Sequence, residues 1–247
     1  MRYNVHAGHN KYVSGASKYL DEVTENRKVA NELIALLNNQ GQTVYNSTDD
    51  SGTTASRNLN NIVNKCNQHR VDADVSIHLN AGGGSGVEIW IYSHKSSVKQ
   101  AAERICANIS KALNIPNRGV KISTQFYVLR KTVSPAMIIE CCFVDSQNDA
   151  AKWNAQKCAH AIAEGLLNRP INISVGVEPY SGTITSRIDG LAYHSAPSWS
   201  DSTIAGHINK GTVLTVVGRI KINTTYMYKT KAGWYITSAP KYVIYKN

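Results

Sequence analysis

Between residue 1 and about residue 168 the chain alternates short apolar runs with stretches of helical period, and this alternation limits the fold more than any other feature. It is the pattern of βαβ units and predicts an α/β fold, an open, mostly parallel sheet flanked by helices. Residues 3–6 read as the first strand. Glu22 opens a helix with apolar residues at Val23, Ala30, Leu33 and Leu37, stopped by Gly41. Residues 43–45 are the next strand, followed by the turn-rich segment 46–54, a helix over 56–69 and a strand over 74–77 that delivers His78. The glycine run 82–86 reads as a turn between strands, because it lacks the GK[ST] ending of a phosphate loop and leads into a strand over 87–92. Helices are predicted over 97–113 and 147–167. Between them residues 136–139 form a fully apolar strand, as expected of one covered on both faces, with Glu140 at its end.

The pattern changes at Asn168-Arg169-Pro170. Beyond it helical period vanishes, and short runs rich in Val, Ile, Thr and Tyr lie between turn residues: 191–193, 213–217, 226–228 and 234–236. Such spacing predicts a small all-β barrel. The expected organisation is therefore a catalytic-type domain over 1–168, a linker over 169–180 and a barrel over 181–247. A chain of 247 residues is long enough for one large and one small domain.

Four residues carry the chemistry. His9, Glu22, His78 and Glu140 each fall at or just past the end of a predicted strand, or open the helix that follows. In an open α/β sheet those positions converge on the crevice at the carboxyl ends of the strands. Two imidazoles and a carboxylate suit a catalytic zinc ion, which takes three protein ligands and keeps a fourth position for water. Each also has a plain structural alternative. A single histidine after a strand is commonly structural, and Glu22 is favourable at a helix N-terminus on electrostatic grounds alone. Glu140, directly after Met137-Ile138-Ile139, is costly to bury unless paired or functional, and a salt bridge to Arg130 is its structural alternative. Beside a metal it would serve as the proton-accepting carboxylate of a hydrolase.

Composition narrows the setting. There is no apolar run of about 18 residues, so no transmembrane helix and no membrane insertion is expected. No basic stretch followed by an apolar core and a cleavage site opens the chain, which points to a protein held in the cytoplasm until release. Cys66, Cys106, Cys141, Cys142 and Cys158 form no CxxC pair and are expected as small core residues rather than disulfides or zinc ligands. The formal charge of +10 favours polyanionic partners: nucleic acid, anionic membrane, or the phosphate-rich polymers of a bacterial wall. No DNA- or RNA-binding motif is present, so no nucleic-acid partner is expected.

The motifs resemble one family. His6-Ala7-Gly8-His9-Asn10, Gly15-Ala16 through Glu22, Ser56-Arg57-Asn58-Leu59 with Asn67, Ser76-Ile77-His78-Leu79-Asn80, Gly86-Val87-Glu88, Tyr127-Val128-Leu129-Arg130 and Pro135-Ala136 through Glu140 occur in the order seen in zinc-dependent N-acetylmuramoyl-L-alanine amidases of the amidase 3 type, in particular phage and prophage endolysins of Gram-positive bacteria. The resemblance implies that His9, Glu22 and His78 hold Zn2+, that Glu140 is the catalytic carboxylate, and that peptidoglycan is the substrate, cut between N-acetylmuramic acid and L-alanine. His6 departs from the family, where many members carry Asp-Pro-Gly-His; it is expected beside the ligands, as their partner or as an alternative ligand. The tail, with Lys210-Gly211-Thr212 and Gly233-Trp234-Tyr235, is similar to bacterial SH3-like wall-binding modules. That likeness implies a face for peptide or glycan from Tyr193, Trp199, Trp234 and Tyr235, with Trp234 expected in the core. Other functions consistent with these residues are a zinc peptidase acting within the stem peptide and a non-catalytic wall-binding protein.

Overall fold

The computed structural model describes residues 1–171, 178–199, 203–222 and 225–247. They fall into two compact units, Met1–Ile171 and Asn172–Asn247.

The first unit is built on a six-stranded sheet in the order β2-β1-β3-β6-β4-β5. Strands β1 (Arg2–Ala7), β2 (Thr43–Asn46), β3 (Ala73–Asn80) and β6 (Ala136–Phe143) are parallel, whereas β4 (Val87–Ile91) runs antiparallel to β6 and carries β5 (Asn117–Ile122) parallel to itself. The chain leaves β1 for β2 on one side and returns to β3 on the other. Strand order therefore reverses at β1, and a crevice opens there at the carboxyl ends of the strands.

Alternation of side chains sorts the strands onto two faces. Val5, Ala7, Val75, Ile77, Met137 and Ile139 are fully buried on one face, with α1 (Glu22–Asn39), α3 (Lys99–Leu113) and α6 (Ala155–Leu167) packed in the same cluster. The other face packs Ala136 and Ile138 against Ile62 and Val63 of α2 (Ala55–Cys66) and Val128 and Leu129 of α4 (Tyr127–Lys131). Asn4 and Asp74 are wholly buried on β1 and β3, where the Asn4 amide donates to the Cys66 carbonyl (2.9 Å) and to the Asp74 carboxylate. All five cysteines are free and buried. Residues 82–86 form the expected turn, with Gly82 and Gly83 N–H groups donating to Asp145 Oδ2 at 3.0 and 2.8 Å.

Three sequence expectations need correction. The single helix over 147–167 is two, α5 (Gln147–Lys152) and α6, because Trp153 is extended (ψ 134°) and Asn154 caps α6 by accepting from the Lys157 N–H. β3 and β6 run past the predicted ends, so His78 and Glu140 lie inside strands. β5 and α4, which the apolar pattern does not delimit, are additional elements.

The second unit is a seven-stranded antiparallel sheet, β13-β7-β10-β11-β12-β8-β9, from β7 (Glu178–Ser186) through β8 (Leu191–His194), β9 (Ile204–Ile208), β10 (Val213–Ile222), β11 (Thr225–Thr230) and β12 (Tyr235–Thr237) to β13 (Val243–Lys246). Ile184, Leu191, Val216, Tyr228, Ile236 and Val243 form its core. Of the segment expected as a linker, Ile171 is buried in the core of the first unit, 172–177 lie outside the described residues, and 178–180 open β7. Among the described residues no helix is long and apolar enough to cross a membrane.

Candidate active site

The crevice beside β1 gathers His9, Glu22 and His78, whose ligand atoms all lie within 4.8 Å of one another. His9 follows β1 in a left-handed conformation (φ 54°), one that L residues other than Asn, Asp and His seldom adopt and that concentrates at functional sites. The turn is held from α1. The Asn26 amide donates to the Gly8 carbonyl (2.9 Å), and Arg27 donates to the carbonyls of Gly8 (3.2 Å) and His9 (2.7 Å) while pairing with Asp50 (2.6 Å). Gly8 lies against His78 so closely that a Cβ there would sit 1.9 Å from His78 Cε1.

Glu22 is the first residue of α1, behind the Asp21 N-cap, and is only 3% exposed. Its carboxylate accepts from the Ala16 N–H (2.9 Å) and the Leu79 N–H (3.2 Å), and its Oε1 lies 3.1 Å from His78 Nδ1 and 3.6 Å from His9 Nε2. Burial alone would raise its pKa, but His78, His9 and the Ala16 N–H together outweigh it and hold the carboxyl below the usual range. Burial lowers the pKa of His9 against the opposing pull of Glu22. For His78 burial is outweighed by Glu22 and Glu140, and the net shift is upward. An anionic oxygen between two imidazole nitrogens fits a tetrahedral zinc ion, whose ligand atoms at about 2.0–2.1 Å from the metal stand about 3.3 Å apart.

Glu140 lies directly across from His78 in the β3–β6 register and across from Glu88 of β4 on its other side. Directly paired residues share a sheet face, so all three carboxylate and imidazole groups project to the α2 and α4 side. Glu140 Oε2 is buried and finds no hydrogen-bond partner among the described residues. Burial, opposed by His78 and aided by the Glu22 and Glu88 charges, pushes its pKa up to about 7. Glu88 is saturated: it accepts from Arg118 (2.7 Å), Lys121 (2.6 Å) and the Asn80 amide (2.9 Å). No ion pair joins Glu140 to Arg130 among the described residues; the Arg130 guanidinium lies over the Tyr127 ring, 5.9 Å from its centroid.

His6 is wholly buried, its Nδ1 3.4 Å from Ser76 Oγ, and burial followed by the His78 charge pushes its pKa down to about 3. It belongs to the wall of the crevice and not to the three-ligand cluster. Asn67 is a loop clamp, donating to the Lys131 carbonyl (3.0 Å) and accepting from the Val133 N–H (2.8 Å). Asn26 and Arg27 escape sequence reasoning because polar residues early in a helix read as a solvated face.

In the second unit, Trp234 is 39% exposed and tilted against Tyr193 with ring centroids 5.4 Å apart, so it is not the core residue expected. Trp199 is equally exposed.

Residues 4–168 match the family described as N-acetylmuramoyl-L-alanine amidase, the amidase 3 family. An uncharacterized protein of Clostridium perfringens is 30% identical over 244 residues, which covers 92% of this chain and 72% of that protein. The endolysin of Bacillus phage SPP1 is 27% identical over an alignment of 266 positions, covering 97% of this chain and 96% of the phage protein. The solved catalytic domain of CD27L endolysin targeting Clostridia Difficile superposes with a TM-score of 0.64 at 27% identity, over 70% of this chain and 99% of that domain. The chain also spans less than half the length of two Bacillus amidases it matches. By this match and by its fold, the chain belongs to the amidase 3 family of N-acetylmuramoyl-L-alanine amidases, zinc-type hydrolases.

Proposed function

We propose that the protein cleaves the amide between the lactyl group of N-acetylmuramic acid and L-alanine in peptidoglycan, with His9, Glu22 and His78 as zinc ligands and Glu140 as general base and acid. The observation that carries this reading is the pairing of the compact two-nitrogen, one-oxygen cluster with a neighbouring carboxylate whose Oε2 has no partner among the described residues. A zinc ion bound there supplies Lewis-acid polarisation of the carbonyl and a lower pKa for the attacking water. Glu140 takes the proton of that water and returns it to the departing alanine nitrogen. Asn26 and Arg27 hold the His9 turn, and the Ala16 and Leu79 N–H groups orient Glu22, so the ligands are fixed before metal arrives.

The antiparallel domain acts as an SH3-like wall-binding module, with peptidoglycan and anionic wall polymers as its partners. Its basic side chains and the exposed Trp199 and Trp234 support this. Likeness to the SPP1 endolysin along nearly the whole of both chains supports a lytic phage role, in which the enzyme waits in the host cytoplasm and reaches the wall through a membrane pore.

The decisive experiment digests purified Gram-positive peptidoglycan with and without a chelator and labels the new amino termini. Chelator-sensitive release of N-terminal L-alanine without new reducing ends is expected. New termini on a later residue would make the protein a stem peptidase, and wall binding without release would make it a binding protein. Glu140→Gln is expected to lower kcat by about 10²–10⁴-fold while metal content stays at wild-type level.

A further inference from the structure

Next to the ligand cluster lies a cavity of about 100 Å³. His6, Ser76, His78, Gly8 and His9 form its polar side on β1, β3 and the turn after β1, while Leu59, Ile62 and Val128 from α2 and α4 form its apolar side. His6 pairs with Ser76 in the β1–β3 register and so occupies the same sheet face as His78 and Glu140, two residues deeper along the strands. His6 and Glu140 thus flank His78 from opposite sides. Glu140 has a role in the chemistry proposed above; His6 has none. Yet His6 is 0% exposed, and its Nε2 finds no hydrogen-bond partner among the described residues, which buried polar atoms rarely tolerate.

A cavity with one apolar side and one buried unpaired ring nitrogen suits a small group that carries both carbon and a polar atom. Its volume is about that of three water molecules, enough for a methyl, a methine and a carbonyl. Both groups that flank the proposed scissile amide have this constitution. The lactyl group and the alanine residue are each a methyl-bearing carbon with a polar atom beside it: the ether oxygen in the lactyl group, whose carbonyl is the one to be attacked, and the carbonyl oxygen in alanine. We propose that this cavity is the subsite for one such methyl-bearing group, its methyl between Leu59, Ile62 and Val128 and its polar atom on His6 Nε2, which makes His6 a specificity-determining and positioning residue. The inference rests on the amidase reading.

The test uses the full-length, zinc-loaded protein and three soluble substrates: N-acetylmuramyl-L-alanyl-D-isoglutamine, the analogue with glycine for alanine, and the analogue with a glycolyl for the lactyl group. One analogue is expected to lose about tenfold or more in kcat/KM, the discrimination a single methyl gains in an apolar pocket. Loss with glycine assigns the cavity to alanine; loss with glycolyl assigns it to the lactyl side. In Leu59→Ala, which widens the cavity, that discrimination is expected to shrink. His6→Leu is expected to raise KM for the parent substrate several-fold, with metal content and Tm unchanged, and His6→Gln to recover part of the loss. Equal kcat/KM on all three substrates overturns the subsite while leaving the amidase reading intact. Failure to free the alanine amine from the parent overturns the amidase reading and the subsite with it. If His6→Leu and His6→Gln both lose metal or stability and discriminate as the wild type does, His6 is a structural residue and its assignment falls.

Discussion

Glu22 and Glu140 are the same side chain in opposite surroundings, and their divergence supports the separate roles proposed for them. Glu22 receives two backbone N–H groups and two imidazoles and stays ionised; Glu140 has a buried Oε2 without a partner among the described residues and holds its proton up to about neutrality in the metal-free protein. A base must be deprotonated to act, so activity should fall on the acid side as Glu140 takes up a proton, at a pH below 7 because bound metal favours the ionised form. Glu88→Gln removes a like charge and leaves Arg118 and Lys121 uncompensated. Both changes favour the Glu140 carboxylate, so the acid limb of the kcat/KM profile should move to lower pH; a shift to higher pH would refute this account. The same residue links pH to stability. Its folded pKa lies above the usual value of 4.5, so metal-free protein gives up stability as pH rises from about 4.5 to about 7. Glu140→Gln should therefore unfold at a higher Tm than wild type at pH 8 without metal, and calorimetry at pH 4 should show that advantage gone. Gly8 sets a steric limit at this scale: Gly8→Ala drives a Cβ into the His78 ring and should weaken zinc binding more than it weakens the fold.

One helix terminus organises the site. α1 contributes Glu22 from its first turn and reaches the His9 turn with Asn26 and Arg27 from its second, so one proposed ligand and the clamp on another arrive together. Arg27→Met should raise the zinc Kd about 10–100-fold, as loss of an outer-sphere contact does, with far-ultraviolet circular dichroism unchanged. At this level the sequence was readable where an element is long or carries a terminal signal. α1, α2 and α3 have helical period, β6 opens on four consecutive apolar residues, and Glu140 stands out because a charged residue abruptly follows that run. β5 was not readable because Val120 and Ile122 are its sole apolar residues beside Arg118 and Lys121, and α4 is too short for periodicity to register. The break between α5 and α6 was signalled by Asn154, a good N-cap, but the apolar pattern runs through it and hides the restart. Strand ends were set short by the polar residues themselves. His78 and Glu140 end their apolar runs, yet β-pairing continues to Asn80 and Phe143 because the backbone ladder is indifferent to side-chain polarity.

Across the whole molecule the charge is distributed unevenly. The first 170 residues and the last 77 each carry a net +5, so the smaller part is about twice as basic per residue. Two of its aromatic residues, Trp199 and Trp234, are also accessible. Arg219 lies 4.6 and 4.7 Å from the ring centroids of Tyr180 and Tyr226 while pairing with Glu178, and Trp234 leans on Tyr193 at the surface. An electrostatic contact with phosphate-rich polymers and a stacking contact with sugar or peptide respond differently to salt. Screening shortens the reach of charge from about 30 Å at 0.01 M to about 8 Å at 0.15 M and leaves stacking almost untouched. Sedimentation of the full chain with intact walls should therefore weaken over that range, whereas binding to walls stripped of anionic polymer should be weaker at low salt and nearly independent of it. Trp234→Ala should reduce the salt-independent part and leave the slope against ionic strength unchanged. If stripped walls bind as tightly and with the same slope, the net charge serves solubility, and the aromatic face alone holds the wall.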